Sequence, residues 1–377
     1  LQESLEKGNK LHFHTLDALR FFAFLKIFIS HIPTHGNFPI FNFLKKGGGI
    51  GVSFFFVLSG FLITYLLTHE KKQNGKINIV KFFTRRSLRI WPLFFLWVIL
   101  AYALPNDFLS KIGFHMVGGG YNPDWKFSFL FLENYKMLLE DNFPKTTPLP
   151  VFWSLCIEEQ FYILWMICLS FIPYKHIPKF LIVSVFVSWL ARYTEAQLFT
   201  SNNIVNNDAF TNLDLFAIGG LLGYAVTYNY SKLSSWVNKQ NVGLKGLIIA
   251  GIIGVVLCHK FIFSYTPNST WFILTPTVQA ICFTILLLIF IPQNSILRIK
   301  DSSILSYLGK ISYGLYVYHI ICIHVVFQYY INNNIQIETT AQLLFFISIV
   351  FSASVILSMA SYHFFEMPFL KLRNRHW

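Results

Sequence analysis

Arg20 and His31 stand eleven residues apart inside one apolar stretch. At 100° per residue that spacing is three helical turns plus about 20°, so both side chains share a face, separated by a rise of roughly 16 Å. A charge in lipid costs at least ~2.5–3.5 kcal/mol on insertion scales, so ionisable groups in such stretches point to function. The guanidinium of Arg20 suits a phosphate or another anion. The His31 imidazole suits proton abstraction from a hydroxyl. The alternative is a snorkelling arginine and a core histidine bonded to a backbone carbonyl.

Further along, Arg85-Arg86-Ser87-Leu88-Arg89 precedes Ile90-Trp91-Pro92. Arg86 and Arg89 are i, i+3 neighbours and can fork onto one anion, unless they are ordinary loop charge beside an interfacial Trp. Trp153-Ser154-Leu155-Cys156-Ile157-Glu158-Glu159-Gln160-Phe161-Tyr162 carries adjacent carboxylates that leave a helix in different directions. At most one can face a shared pocket. Glu158 lies on the side of Ser154, Phe161 and Tyr162, where it would orient a protonated histidine or bind a sugar hydroxyl. Otherwise it is a helix N-terminal acid favoured by the dipole. Asp214, His319 and Glu366 complete the set of ionisable residues in or near apolar windows, each divided between structural pairing and chemistry. Lys26 lies on a different face from Arg20 and has no assigned role.

The elements that position these residues must be membrane helices. Of the 377 residues, 54% are apolar, 12% are charged and 42 are Phe, whereas a soluble domain carries roughly 25% charge. Apolar windows near the ~20 residues that cross a bilayer recur along the chain, and in lipid such windows are helices. The expected fold is an all-α integral membrane protein of about ten transmembrane helices, at 16–32, 50–67, 90–105, 151–172, 180–199, 210–228, 245–263, 271–291, 308–330 and 341–365. Residues 1–15 form an N-terminal segment, 16–365 the membrane domain and 366–377 a tail. The segment 106–150, with Gly118-Gly119-Gly120-Tyr121-Asn122-Pro123, reads as irregular loop with a short interfacial helix. His69 to Arg89 reads as a long basic loop.

The net charge of +13 is not a nucleic-acid footprint, because the positives fall in alternate loops. Twenty of the Lys and Arg residues lie on one side of the expected topology, which places both termini in the cytoplasm. The five Cys sit in or at the edge of apolar spans, with no Cys-x-x-Cys or Cys/His ligand spacing, so neither a disulfide framework nor a metal site is expected. The chain starts without Met, which suggests trimming, and no signal peptide is visible.

In order along the chain, these blocks resemble the acyltransferase 3 family of bacterial membrane O-acyltransferases. Leu16-Asp17-Ala18-Leu19-Arg20 through His31 resembles the family's opening helix with its Arg-x10-His signature. Gly51 to Ile63 resembles the second helix, including Ser59, although Ser53 stands where many members carry Asp. Arg86-x-x-Arg89, the Trp153–Tyr162 block, Ser312-Tyr313 through His319, and Ser361-Tyr362 with Glu366-Met367-Pro368 match the later motifs. The resemblance covers residues 15 to 370. It implies transfer of an acyl group, commonly acetyl from acetyl-CoA, to a saccharide hydroxyl, in a multi-pass protein of the bacterial inner membrane. Arg20, His31, Arg86 and Arg89 correspond to the family's functional motifs; we expect His31 and Glu158 to be catalytic, Arg20, Arg86 and Arg89 to bind the donor, and Asp17, Ser59, Asp214, Tyr313, His319 and Glu366 to support them. The partners implied are the bilayer, the acyl-CoA and a saccharide, with no nucleic acid and no metal. The chain is too short to hold the C-terminal hydrolase-like domain of some members. A glycan or lipid transporter is the rival class, since buried ionisable groups also mark transport paths; it would show inverted repeats with broken helices, and none is apparent. A receptor-like sensor has no sequence feature behind it.

Overall fold

The computed structural model describes residues 11–34, 36–114, 120–145, 147–198, 207–262, 269–293, 295 and 297–375. Among them every regular element is helical, and the one β-contact is an isolated bridge between Tyr121 and Pro144. In chain order the helices are α1 (Leu16–His31), α2 (Pro39–Lys45), α3 (Gly49–Asn74) and α4 (Ile79–Ala103). Short helices α5 (Asn106–Lys111), α6 (Trp125–Phe129) and α7 (Glu133–Glu140) follow. Next come α8 (Trp153–Phe171), α9 (Ile177–Leu198), α10 (Leu213–Lys239), α11 (Val242–Ile262) and α12 (Thr270–Phe290). The last are α13 (Ile304–Lys310), α14 (Ser312–Asn332), α15 (Thr340–Ala360) and, after a π-helical turn over Ser361–Glu366, α16 (Met367–Arg375).

Seven of the helical segments in the described residues are long and apolar enough to cross a membrane, and α10 with α11, bent by 98° at their junction, would make an eighth span. The outer faces carry Leu190 at 64% exposure, Leu247 at 72% and Phe345 at 64%. Apolar surface of that kind is stable against acyl chains and unstable against water.

Helix α3 is the hub, packing against α1, α8, α10 and α12. Its contact with α10 is backbone-close: a Cβ on Gly219 would fall 2.1 Å from the Val57 carbonyl oxygen. Gly219 and Gly223 form the small-xxx-small spacing that lets membrane helices approach without side chains between them. Lys26, unassigned from sequence, donates its ammonium to the Leu44 and Lys46 carbonyls at 2.6 and 2.7 Å, where α2 ends with its carbonyls unpaired.

The basic stretch expected as a long loop from His69 to Arg89 is mostly helix. Helix α3 continues to Asn74 and closes on Gly75 at φ 72°, the left-handed C-cap conformation open to glycine. Helix α4 already begins at Ile79, with the Asn78 side chain accepting from the Lys81 amide. Charged residues interrupt the apolar window without interrupting the helix, so Arg86 and Arg89 project from a rigid element. The 106–150 segment likewise holds three short helices rather than one; the residues 115–119 around Gly118 and Gly119 lie outside the described residues.

Candidate active site

Two cavities meet inside the bundle. The first is narrow, with a volume of about 100 Å³, and is lined by Arg20, Ser59, Arg86, Arg89, Glu158, Tyr162 and Tyr313 together with apolar residues of α3 and α8. These side chains come from α1, α3, α4, α8 and α14.

Its polar wall is organised. Ser59 Oγ donates to Glu158 Oε1 at 2.7 Å, and Tyr162 Oη donates to Glu158 Oε2 at 3.2 Å. The Arg86 guanidinium stacks over the Tyr162 ring, 5.2 Å from its centroid. Arg20 pairs with Asp17, one turn earlier on the same helix. Neither Arg86 nor Arg89 has a carboxylate within 4.0 Å among the described residues. Three guanidinium groups line this cavity with one carboxylate, Glu158, while Asp17, Glu159 and Glu366 stand behind its wall. A secluded cationic surplus of this kind is costly unless an anion completes it. Glu159 turns away, as adjacent helical residues must, and accepts from the Trp91 indole at 2.9 Å. Outside the cavity wall, the Glu366 carboxylate accepts from Ser361 at 2.9 Å across the π turn. The Tyr313 hydroxyl donates to the Ile90 carbonyl at 2.8 Å, tying α14 to the helix that carries the arginines.

The second cavity is wide, about 710 Å³, and lies toward the opposite end of the same helices. His31, Lys45, Trp153, Tyr316, His324 and Phe327 are among its lining residues. Val52 and Tyr316 line both cavities and so form the partition between them. The partition is pinned: Tyr316 Oη donates to the Val151 carbonyl at 2.9 Å and lies 2.6 Å from Ser154 Oγ.

His31 is open to the wide cavity, and its hydrogen-bonding state follows from its neighbour. Nδ1 of the fully buried His319 lies 2.6 Å from the Tyr316 carbonyl oxygen, which only accepts. That nitrogen carries the hydrogen, leaving a lone pair on Nε2 of neutral His319. His31 Nδ1, 3.0 Å from that lone pair, must donate to it. Nε2 of His31 is then an unprotonated base.

The sequence-derived residues are thus divided. Arg20, Ser59, Arg86, Arg89, Glu158 and Tyr313 line one cavity, with Asp17 and Glu366 behind it; His31 and His319 serve the other. Arg20 and His31 share a helix but not a chamber. Asp214 lies in neither cavity. It forms a fully buried ion pair with Arg192 and accepts from Ser188 at 3.0 Å and Thr277 at 2.5 Å. Arg192 escaped sequence reading although it falls within an expected span, and the same intramembrane-charge criterion applied to 180–199 selects it. Tyr316 has no signal in sequence beyond an aromatic near His319.

Among the described residues the fold is an all-helical membrane fold that encloses one cavity lined by three arginines and a second that holds His31. The family model described as an acyltransferase domain matches residues 13–362, and the chain belongs to that family, acyltransferase 3. It is similar to the O-acetyltransferase OatA of Staphylococcus aureus (strain NCTC 8325 / PS 47), 28% identical over 94% of this chain and 57% of the relative. The peptidoglycan O-acetyltransferase OatA of Listeria monocytogenes is 27% identical over 81% of the chain and 48% of the relative. The chain spans about half the length of these curated relatives. No solved structure matches.

Proposed function

We propose that the chain is a membrane O-acyltransferase that moves an acyl group, acetyl foremost, from acyl-CoA to a hydroxyl of a cell-envelope glycan. The observation that carries this reading is the pair of abutting cavities, one narrow and cationic, the other wide and holding a histidine base. In the proposed topology α1, α10 and α11, counted separately, join the seven long apolar segments to give about ten helices crossing the bacterial inner membrane, both termini lie in the cytoplasm, and the narrow cavity faces inward. The names of the two relatives, both O-acetyltransferases and one of them specifically of peptidoglycan, support acetyl and a glycan acceptor.

The phosphates of the donor would meet Arg86, Arg89 and Arg20, where charge-assisted hydrogen bonds are strongest. The thin acyl-bearing arm would follow α1 past Val52 and Tyr316, over roughly the 16 Å of rise between Arg20 and His31. The glycan hydroxyl would enter the wide cavity and give its proton to His31 Nε2 as its oxygen attacks the thioester carbonyl. The carbon–sulfur bond then breaks, and the sulfur leaves with the proton that His31 took. General-base assistance of this kind contributes ~10²–10⁴-fold. His319 holds the imidazole in the tautomer that keeps Nε2 free, and the partition limits loss of the thioester to water. Glu158 positions Ser59 and Tyr162 along the donor path.

Membranes carrying the protein, supplied with acetyl-CoA radiolabelled in the acetyl group, should accumulate label in acid-precipitable glycan. Label that stays with CoA, or glycan that crosses the membrane unmodified, would favour the transporter reading instead.

A further inference from the structure

We propose that His12, His14 and Asp301 form a site for a divalent transition-metal ion, with zinc the best fit, that clips the segment before α1 to the loop before α13. His12 Nε2 lies 3.1 Å and His14 Nδ1 2.5 Å from Asp301 Oδ2, and the three ligand atoms all fall within 4.8 Å of one another. Zinc binds imidazole nitrogen and carboxylate oxygen at about 2.0–2.2 Å, so tetrahedral ligand atoms stand roughly 3.4 Å apart. Reaching that spacing requires His12 Nε2 and His14 Nδ1 to draw back from Asp301 Oδ2 by between a few tenths of an ångström and about 1 Å. Two imidazoles and one carboxylate match the donor preference of zinc rather than of calcium or magnesium. The His12 side chain is 67% exposed, which leaves room for water as a fourth ligand.

The ligands sit on a prepared support. The Leu11 amide donates to the Tyr65 hydroxyl at 2.8 Å. Phe13, between the histidines, turns the other way and packs edge-on against Phe61 and Tyr65. The alternation sends His12 and His14 to one side, their rings edge-to-face at 4.6 Å. On the facing loop the Ile299 amide donates to Thr15 Oγ1 at 3.2 Å, and the Ser303 amide and Ser306 hydroxyl both donate to the Lys300 carbonyl. Both ligand-bearing segments are therefore held in register before any ion binds, which limits the ordering cost of binding. A His-x-His pair alone is a weak sequence signal. The third ligand lies 287 positions from His14, beyond the reach of spacing rules.

Such a clip joins the two segments that flank the start of α1, the helix carrying Asp17 and Arg20, and so sets the entry of that helix. The test uses the full chain purified in detergent without a polyhistidine tag, stripped by chelator and equilibrated with Zn²⁺. One equivalent should bind with a micromolar or lower Kd, and Co²⁺ in its place should give the visible absorption of a four-coordinate nitrogen–oxygen site. His14→Ala and Asp301→Asn should each weaken Zn²⁺ binding at least tenfold, while His176→Ala, which alters an exposed histidine elsewhere, should not. Size-exclusion profiles matching wild type establish that the variants are folded. Binding no tighter than millimolar, or equal binding by wild type and the His12→Ala/His14→Ala double variant, would overturn the site.

Discussion

The two cavities differ in the way their charge is arranged, and the difference assigns their work. In the narrow one, arginines from α1 and α4 outnumber the lining carboxylates, and Ser59, Glu158, Tyr162 and Arg86 are held against one another. In the wide one the reactive group is an imidazole whose free nitrogen is set by a second, fully buried imidazole. In the proposed reaction the cationic slot recognises the donor's anion and the roomy chamber with its base receives the hydroxyl. Neither suffices alone, and Tyr316 with Val52 is where they must communicate.

Substitutions that separate the cavities should have graded effects. The largest is expected from His31→Ala, which should lower turnover by ~10²–10⁴-fold while donor binding, measured by equilibrium dialysis of labelled acetyl-CoA, stays as in wild type. A full loss of donor binding in that variant would merge the two cavities into one functional unit. Arg89→Ala should do the reverse. Losing a charge-assisted contact of about 1.5–3 kcal/mol predicts donor affinity weaker by roughly ten- to a hundredfold, with the acceptor KM unchanged.

His319 sharpens the comparison inside the wide cavity. His319→Leu removes the acceptor for His31 Nδ1, so the imidazole can hold its proton on the wrong nitrogen and kcat should fall with donor KM intact. His319→Gln supplies an amide oxygen at that position and should restore part of the rate. Equal rates for the Leu and Gln variants would remove the tautomer argument.

The ion pair outside both cavities serves as a control. Arg192→Leu leaves Asp214 buried without its partner, a change of about 3–5 kcal/mol in stability, read as a lower thermal midpoint in detergent. The folded fraction should keep wild-type KM values for donor and acceptor. The smallest effect concerns Glu133, in the loop region between α4 and α8. Its burial raises its pKa, only partly offset by hydrogen bonds from Ser128 and Tyr121. The folded state therefore binds the proton more tightly than the unfolded chain, and stability falls as pH rises from the ordinary carboxylate range through the higher folded value. Glu133→Gln should flatten that slope in a pH series of unfolding midpoints.

Much of this was legible before folding was considered. Ionisable residues in apolar windows picked out Arg20 and Glu158, because lipid makes such residues expensive unless they are used, and i, i+3 spacing at the mouth of the third expected span picked out Arg86 and Arg89. Helical angles separated Glu158 from Glu159 correctly. The same angles placed Arg20 and His31 on one face but said nothing of Tyr316, which arrives from α14 and divides the space between them. Helix periodicity gives a direction from one axis; which neighbours close around that direction depends on packing between distant helices. The glycine-mediated approach of α10 to α3, the Arg192–Asp214 pair and the His31–His319 contact across 288 positions belong to that second kind of information.

The claim that donor and acceptor enter from opposite faces is tested most directly in proteoliposomes of defined orientation. Acetyl-CoA supplied only on the face that carries the termini should label a glycan acceptor supplied only on the His31 face. Labelling that requires acetyl-CoA on the His31 face, or that proceeds equally from either side, would contradict the division of the site into two cavities.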